Sequence, residues 1–448
     1  MNFFLPAATD KSVKKNLKTL IAVQSTGLIL PYVLFQGGVL SLFILQIGGS
    51  TVEIGLVFSL FIGLNILRVF IGPYTDYYNR KSLLFYFWLA AAVISTSFLA
   101  IIPVYNSYGK TAAILLLFLI SVIYRIFLNV GDSAWIPLVS EIIPENIKGR
   151  FLSVHRLVWQ SVMFLAIILT GIYLGRDPSV NRFFYIFLIA VIFHFIRPLI
   201  VKKIEYTPVI KKGKRKNVLK EIIKPLRNRN FILFILYTAF SSSILFVIEP
   251  FLVPFLKTGL EIPTSYTLYI ASGIHVGSIL SLFFWGKISD TYGNRFIFFI
   301  TNIIIFFLLI LTLLIPEYRV SPIISITAAA AISILYGMAF SGFRIGALSR
   351  MFSEAPAEER GTYINLWVSI WGLTSFIVPA VTGKCLDSCS GFSRDILFVN
   401  INNYKLVFIF SSIFVFLSMY LIKKMKPIEE KGLKQTIFEF INFGTNRY

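Results

Sequence analysis

The chain contains few charged residues for its length. Of its 448 residues only 14% are Asp, Glu, Lys or Arg, whereas 56% are hydrophobic and 45 are Phe. Soluble domains carry about a quarter charged residues, so this deficit excludes an ordinary soluble protein. Near-continuous apolar runs at 114–120 and 303–315 also lack the alternation of a membrane β-barrel. The composition therefore predicts an all-α protein that crosses the bilayer many times.

Cysteine is almost missing, and so are the motifs of enzymes. Only Cys385 and Cys389 occur, four apart in one predicted loop. They either form a disulfide in an oxidising compartment or remain two free thiols, and we favour free thiols. Two thiols alone do not make a zinc site, and the sequence has no nucleophile motif or phosphate-binding loop of ATPases. We predict no metal, no cofactor and no enzymatic activity.

Acidic residues are half as frequent as basic ones, 21 against 42, which gives a net charge of +21. Binding to nucleic acid is a poor explanation, because most Lys and Arg fall in loops on one side of the predicted spans. This asymmetry follows the positive-inside rule and favours contact with anionic lipid. It predicts a multi-pass cell-membrane protein, embedded in the lipid bilayer, with both termini cytoplasmic and no nucleic-acid partner.

Twelve apolar segments are long enough to span a membrane. They lie at about 17–45, 52–71, 82–103, 112–140, 151–174, 182–201, 231–256, 264–286, 296–315, 322–350, 362–383 and 404–422. The pattern predicts a six-helix bundle at 1–201, a basic cytoplasmic linker at 202–230, a second six-helix bundle at 231–425 and a cytoplasmic tail at 426–448.

A polar loop after the second span recurs after the eighth. The first copy reads Gly-Pro-Tyr-Thr-Asp-Tyr-Tyr-Asn-Arg-Lys from Gly72, and the second reads Gly-Lys-Ile-Ser-Asp-Thr-Tyr-Gly-Asn-Arg from Gly286. A second repeated pattern, Pro-x-x-x-Lys/Arg-Gly, ends at Gly149 and at Gly361. Two repeats in the same order indicate two similar halves, a mark of transporters with internal repeats.

These motifs resemble those of the major facilitator superfamily of secondary transporters, over nearly the whole chain. The family signature after span two is Gly-x-x-x-Asp-x-x-Gly-Arg-Lys/Arg, and here Asn79 replaces its second glycine. The resemblance implies two pseudo-symmetric bundles of six helices that bind a small-molecule substrate between them. It also implies a conformational latch at Gly72, Asp76, Arg80, Lys81, Gly286, Asp290 and Arg295. We expect the two glycines to permit close helix approach, and the two aspartates to cap a helix N-terminus or to pair with a nearby arginine. We also expect the protein to be a monomer.

Ionisable groups within the spans are costly in lipid and therefore usually mark function. Arg125 and Asp132 lie about two turns apart on span four and share a face. Arg344 is the repeat equivalent of Asp132, and the resemblance places spans one, four, seven and ten around a central cavity. We predict that Asp132 and Arg344 form a gate across the halves; the alternative is that Asp132 pairs within its own half, with Arg125. Three further arginines near the predicted cytoplasmic ends are expected to snorkel: Arg68, Arg156 and Arg197.

Two residues are candidates for proton coupling. Glu249 lies in span seven beside Pro250, in a helix that prolines are expected to break, and a carboxyl in an apolar span can take up a proton. His275 lies near the middle of span eight and either relays protons or only joins helices by a hydrogen bond. Four polar residues are candidates for the substrate lining: Gln24, Gln36, Gln160 and Asn365.

The sequence as a whole predicts a secondary active transporter of a small organic solute that works by alternating access and is coupled to protons. Two alternatives remain open at this point. One is a transporter that handles lipids, amphiphiles or drugs, which a cavity open to the bilayer would favour. The other is a non-transporting sensor on the same scaffold, which would need neither the acids within the membrane nor the latch loops.

Overall fold

The computed structural model describes residues 11–75, 77–144, 147–208, 223–356, 359–396 and 399–426. Asp76, most of the basic linker and the tail beyond residue 426 lie outside these ranges. The side chains of Gln36 and Asp290 are likewise outside what the structure describes.

Eleven described helical stretches are long and apolar enough to cross a membrane, and one of them contains two spans. The stretch Arg80–Ile142 breaks at Gly109, whose φ of 79° is left-handed, and Arg80 near its start contacts Glu141 near its end. Since the chain must reverse to make that contact, the twelve predicted spans are present. They are Lys11–Gln46, Thr51–Thr75, the two parts of Arg80–Ile142, Lys148–Leu174, Val180–Val201, Arg229–Gly259, Thr264–Tyr292, Asn294–Leu313, Pro322–Glu354, Arg360–Ser388 and Asn403–Lys424. They are numbered 1 to 12 below.

Spans 1 and 7 are each broken into shorter helical pieces. Span 1 consists of helices Lys11–Gly27, Ile29–Pro31 and Val39–Gln46, with a π-helix at Tyr32–Gln36. Span 7 consists of helices Arg229–Ile248 and Leu252–Pro254, followed by a π-helix at Phe255–Gly259. Proline lacks the backbone N–H and disrupts the helical hydrogen-bond ladder, which explains breaks beside Pro31, Pro250 and Pro254.

Spans 2, 3 and 12 are each divided into two helices. Helix Thr51–Gly63 continues through a 3-10 turn at Leu64–Leu67 into helix Arg68–Thr75. Helix Arg80–Ser95 continues in the same way through a 3-10 turn at Thr96–Ala100 into helix Ile101–Ile142. Span 12 consists of helices Asn403–Phe410 and Ser412–Lys424, and a 3-10 turn at Pro225–Arg227 precedes span 7. A β-hairpin that the sequence did not predict joins spans 11 and 12: β1 (Ser393–Ile396) pairs antiparallel with β2 (Val399–Asn402).

The start of span 1 and the end of span 12 lie on one face of the helical assembly, here called the terminal face. Lys15 binds Glu205 after span 6 at 2.5 Å, and Arg350 at the end of span 10 donates to the Lys426 carbonyl at 2.6 Å. On the opposite face Lys110 donates to the Gly48 carbonyl at 3.1 Å. Helix Arg360–Ser388 extends beyond the predicted end at 383, so Cys385 lies in the helix and not in a loop; both thiols are free.

Two pairs of spans join the halves. Span 2 packs along span 11 and span 5 along span 8. Small residues permit the close approach of span 2: a Cβ at Gly372 would lie 2.6 Å from the Ile66 nitrogen, and a Cβ at Gly55 would meet the Pro379 carbonyl. Spans 1 and 7 also touch near the opposite face, where Ser41 Oγ donates to the Pro250 carbonyl at 3.1 Å. A central cavity lies between these three contacts.

Candidate functional site: a charged central cavity

The central cavity has a volume of about 230 Å³ and is lined by both halves. Its charged lining residues are Arg68, Arg125, Asp132, Arg197, Glu249 and Arg344. Its other lining residues are Asn65 and the apolar side chains Leu28, Pro31, Phe61, Ile62, Leu128, Leu245, Phe246 and Trp371. Ionisable side chains from spans 2, 4, 6, 7 and 10 therefore meet in one space within the membrane-spanning part of the protein.

Asp132 is the centre of the first half's charge cluster. Its Oδ2 lies 2.8 Å from Arg68 Nη2, and its Oδ1 accepts a hydrogen bond from Trp88 Nε1 at 3.1 Å. Arg197 Nη2 lies 3.6 Å from Oδ1, within ion-pair range but beyond a good hydrogen bond. Two arginines thus share one carboxylate, which compensates only one of their charges.

The neighbours of Arg197 fix its position. Its guanidinium lies over the Trp88 ring, 3.3 Å from the centroid, as in a cation–π contact. Its stem passes beside Gly27 of span 1, where a Cβ would collide with the arginine Cδ. Trp88 in turn depends on Gly131, since a Cβ there would lie 2.5 Å from Trp88 Cδ1. Two glycines therefore make room for the stacked pair.

Arg125 lies apart from Asp132 despite sharing its helix. Its Nη2 donates to Asn65 Oδ1 at 2.7 Å, and its guanidinium lies 4.9 Å from the Phe61 ring centroid. Asn129, one turn from Arg125, accepts from Arg68 Nε at 3.1 Å and donates to the Leu64 carbonyl at 2.9 Å. Span 2 and not span 4 therefore supplies the close partner of Asp132.

In the second half, Arg344 Nη2 lies 2.8 Å from Glu249 Oε1. Glu249 caps helix Arg229–Ile248, next to the break at Pro250. Both residues also line a chamber of about 30 Å³ beside the central cavity. The chamber contains a hydrogen-bonded chain across the halves: His275 Nδ1 lies 2.6 Å from Gln160 Oε1, and Gln160 Nε2 donates to Ser278 Oγ at 2.8 Å.

The predicted gate between Asp132 and Arg344 is not formed in this conformation. Each of the two residues has an ion-pair partner in its own half, Arg68 for Asp132 and Glu249 for Arg344. The alternative partner considered for Asp132, Arg125, is bound to Asn65 instead. Both gate residues nevertheless line the same cavity from opposite halves.

The predicted lining residues are divided among different places. Gln160 belongs to the side chamber. Asn365 contacts Gly72 at the interface of spans 2 and 11 and is not part of the cavity lining. Gln24 is half-buried in span 1, with an Oε1 that accepts no hydrogen bond from the described residues, and it also does not line the cavity. Trp371, which lines the cavity, was not among the predicted lining residues.

Arg68 and Arg197 are cavity residues that the sequence assigned to the membrane surface. The Arg197 side chain is only 3% exposed and that of Arg68 only 14%. The snorkelling prediction was wrong for them because both side chains point inward to a carboxylate. The only signal in the sequence was an excess of arginines over acids within the spans of the first half.

The two copies of the latch loop differ in structure. In the first, Arg80 pairs with Glu141, Lys81 Nζ donates to the Ile204 carbonyl at 2.6 Å, and a Cβ at Gly72 would collide with Asn365. Tyr206 also donates to Glu141 at 2.7 Å, and burial raises the pKa of its phenol. In the second, Arg295 Nη2 donates to the Ile422 carbonyl at 3.2 Å. A Cβ at Gly286 would meet nothing within 4 Å, so the expected close approach occurs only at Gly72.

No group of three or more His, Cys, Asp or Glu that could hold a metal ion occurs among the described residues. The cavity wall offers a ligand charge, hydrogen-bond donors and apolar surface.

The sequence model described as Major Facilitator Superfamily matches residues 21–379, with a second match at 269–440. The fold is similar to the crystal structure of the nucleoside transporter NupG, with a TM-score of 0.65 and 14% identity over 92% of this chain and 99% of that chain. It is also similar to a bacterial homologue of the iron transporter ferroportin in its outward-facing state, with a TM-score of 0.65 and 14% identity over 93% of this chain and 99% of that chain.

A third similar structure is a bacterial homologue of the human lysosomal transporter Spinster, inward-facing and unoccupied, with a TM-score of 0.62 and 13% identity over 94% of this chain and 99% of that chain. No curated protein matches the sequence. At these identities the likeness establishes the twelve-helix, two-domain fold.

Proposed function

The chain belongs to the Major Facilitator Superfamily, and from this premise we propose that it is a proton-coupled secondary transporter of a small organic solute. Membrane transport of a solute follows from the family. Alternating access, in which the two six-helix halves rock about a central site, is the mechanism that we assign to it. We assign no enzymatic activity, cofactor or nucleic-acid partner, and we take a single chain in the cell membrane as the working unit.

The observation that carries the proposal is the ion pair of Glu249 and Arg344 on the cavity wall. The pair has a distance of 2.8 Å and joins the broken span 7 to span 10. Ionisable residues within membrane spans are rare and usually belong to a substrate or ion pathway. Glu249 also borders the side chamber that contains His275, which offers the carboxyl a polar neighbourhood on its far side.

Coupling follows from a competition for Arg344. While Glu249 is ionised, its carboxylate compensates the charge of Arg344 and holds the arginine in place. When Glu249 takes up a proton, the pair loses its attraction and Arg344 becomes available to the substrate. A bound proton and a bound solute would then favour the same conformation, which is the condition for coupled movement.

Contacts between the halves supply the elements that must open and close. Near the opposite face, Ser41 of span 1 holds the Pro250 carbonyl one residue after Glu249. A change at Glu249 can therefore act directly on the closure between spans 1 and 7. On the terminal face we assign the latch role to the loop of Gly72, Asp76, Arg80 and Lys81 and to its repeat at Gly286, Asp290 and Arg295. We place this face in the cytoplasm, from the charge asymmetry.

The test begins with a thermal-stability screen of the purified protein against metabolites and drugs, since a bound ligand stabilises the folded state by mass action. A ligand found in this way is then used for flux in proteoliposomes with an imposed pH gradient. Wild type should accumulate it against its gradient, whereas Glu249→Gln should retain only exchange down the gradient. Accumulation by Glu249→Gln with unchanged proton dependence would contradict the coupling role.

One observation favours a second candidate, a transporter of amphiphiles. An apolar groove of about 360 Å³ on the membrane-facing side lies between spans 1, 5 and 6, and its lining includes Leu165, Leu169 and Phe193. Span 1 separates it from the central cavity, contributing Ile29 and Val33 to the groove and Leu28 and Pro31 to the cavity. This separation makes the water-soluble solute our first choice. If only lysolipids stabilise the protein in the screen, the amphiphile transporter becomes the first candidate and the transporter of a water-soluble solute the second.

A further inference from the structure

We propose that the transported solute is an organic anion with an oxyanion group and an apolar body, and that arginines from both halves bind its charge. This inference rests on the proposed transport function and specifies its substrate class. The oxyanion is a carboxylate or a phosphate, since both present oxygens that a guanidinium can bind in pairs.

The charges on the cavity wall are unbalanced. Within the part of the chain that the structure describes, the lining has four arginines, Arg68, Arg125, Arg197 and Arg344, but two carboxylates, Asp132 and Glu249. The excess is two positive charges. Buried charge is stable only when it is paired, so a cavity with this lining binds an anion most favourably. A cation would increase the imbalance, and a neutral solute would leave it unchanged.

Two residues of the cavity lining have buried donors without an acceptor in the described part of the structure. Arg197 approaches Asp132 only to 3.6 Å, and its buried Nε has no hydrogen-bond partner among the residues described. The buried indole Nε1 of Trp371 also lacks an acceptor within the described ranges. Trp371 belongs to span 11 and Arg197 to span 6, so residues with unpaired buried donors line the cavity in both halves. Buried donors without acceptors are costly, and an anion toward which these two side chains turn removes that cost.

Much of the remaining cavity lining is apolar. Phe61, Phe246 and Trp371 line the same space as the arginines, together with Leu28 and Leu128. A small inorganic anion would leave this surface in contact with water. A body that is aromatic or aliphatic buries it, while the charged end lies at the guanidinium groups.

The experiment compares four probes that share a phenyl ring and differ in charge: phenylphosphate, phenylacetate, phenylacetamide and phenethylamine. Thermal stability and equilibrium binding are measured on the full-length protein in nanodiscs. We expect the two anions to raise Tm, with a gain that grows as the logarithm of concentration, and the amide and amine to leave it unchanged. A larger effect of phenylphosphate identifies a dianionic solute, and a larger effect of phenylacetate a carboxylate.

Three variants locate the binding site. Arg197→Gln and Arg344→Gln should each weaken binding of the preferred anion by about tenfold or more, as expected for a lost charge-assisted hydrogen bond. Arg176→Gln is the matched control, because that arginine is exposed on the opposite face. It should bind the anion as wild type does.

The outcomes separate this inference from the proposed function. Equal binding of phenylacetamide, binding of phenethylamine, or no stabilisation by either anion up to about 10 mM would overturn the anion assignment, since saturating ligand must stabilise. Equal losses of anion affinity in all three variants would also overturn it, because the effect would then come from the surface charge of the protein. Suppose that the anion binds, that Arg197→Gln and Arg344→Gln weaken its binding, and that Arg176→Gln does not. If flux then shows no response to a pH gradient, the anion assignment stands and proton coupling is removed.

Discussion

The carboxylate of Asp132 lies 2.8 Å from the guanidinium of Arg68, so the acid of the first half is paired within that half. Trp88 donates a further hydrogen bond to it at 3.1 Å. The equivalent position of the second half, Arg344, is paired with Glu249. The cavity thus has one paired carboxylate per half in this conformation, and any contact between Asp132 and Arg344 requires the partners of both to rearrange.

Asp132→Asn should destabilise the protein more than Arg68→Gln does. The first change leaves both Arg68 and Arg197 without their counter-charge, at a cost of about 3–5 kcal/mol, as when one partner of a buried pair is removed. The second leaves Asp132 with Arg197 and Trp88. The double variant, Asp132→Asn with Arg68→Gln, should lose less stability than the sum of the losses in the two single variants. Tm measurements in detergent test this order, and additive losses would show that Arg68 does not compensate Asp132.

The inner gate predicts a conformation in which Asp132 and Arg344 meet. Each single neutralisation should impair transport, and exchange of the two charges, Asp132→Arg with Arg344→Asp, should recover part of it. The exchange also breaks the pairs with Arg68 and Glu249, so recovery must exceed that of either single charge reversal. Spin labels on spans 4 and 10 would show whether the two helices approach in a second state. A swap no better than the single reversals, with no such approach, ends the gate hypothesis.

Gly27→Ala should weaken binding of phenylphosphate by about tenfold or more without changing any charge, because loss of one charged hydrogen bond has that size. The reason is that an alanine Cβ would occupy the path of the Arg197 stem and move its guanidinium from Trp88. Gly361→Ala is the control, because a Cβ there meets nothing within 4 Å. Equal affinity of the two variants would show that the position of Arg197 does not matter for the anion.

Gly72→Ala and Gly286→Ala should differ, although the two glycines are equivalent in the repeats. At Gly72 the new Cβ collides with Asn365 and pushes span 2 from span 11, whereas at Gly286 it meets open space. We expect a clear loss of Tm for Gly72→Ala and little change of Tm for Gly286→Ala. Near-equal effects would indicate that a second conformation closes on Gly286 as this one does on Gly72.

The two native cysteines test the orientation of the protein in the membrane without the introduction of new cysteines. Cys385 is exposed at the end of span 11, on the face opposite the chain ends. If the termini are cytoplasmic, a maleimide that cannot cross membranes should label intact cells after mild reduction. Cys385→Ser with Cys389→Ser gives the background. Labelling that appears only after the membrane is opened would invert the topology.

The sequence by itself determined the class, the number of spans and their places. Hydrophobic length is enough for this, because in lipid every backbone group must be satisfied within its own helix, whatever the helix packs against. The repeated loops at Gly72 and Gly286 likewise indicated two halves and the family. The breaks in span 7 were expected from Pro250 and Pro254, since proline acts locally.

Only the tertiary structure decided which charges meet. Arg68 and Arg197 looked like surface residues by their depth, and they are cavity residues because helix rotation turns both toward Asp132. Asn365 looked like a lining residue, and it contacts Gly72. Depth along a helix is a local property that a sequence carries, whereas the direction of a side chain between packed helices depends on the contacts among all of them. A pair such as Glu249 and Arg344, 95 positions apart, is fixed by that packing.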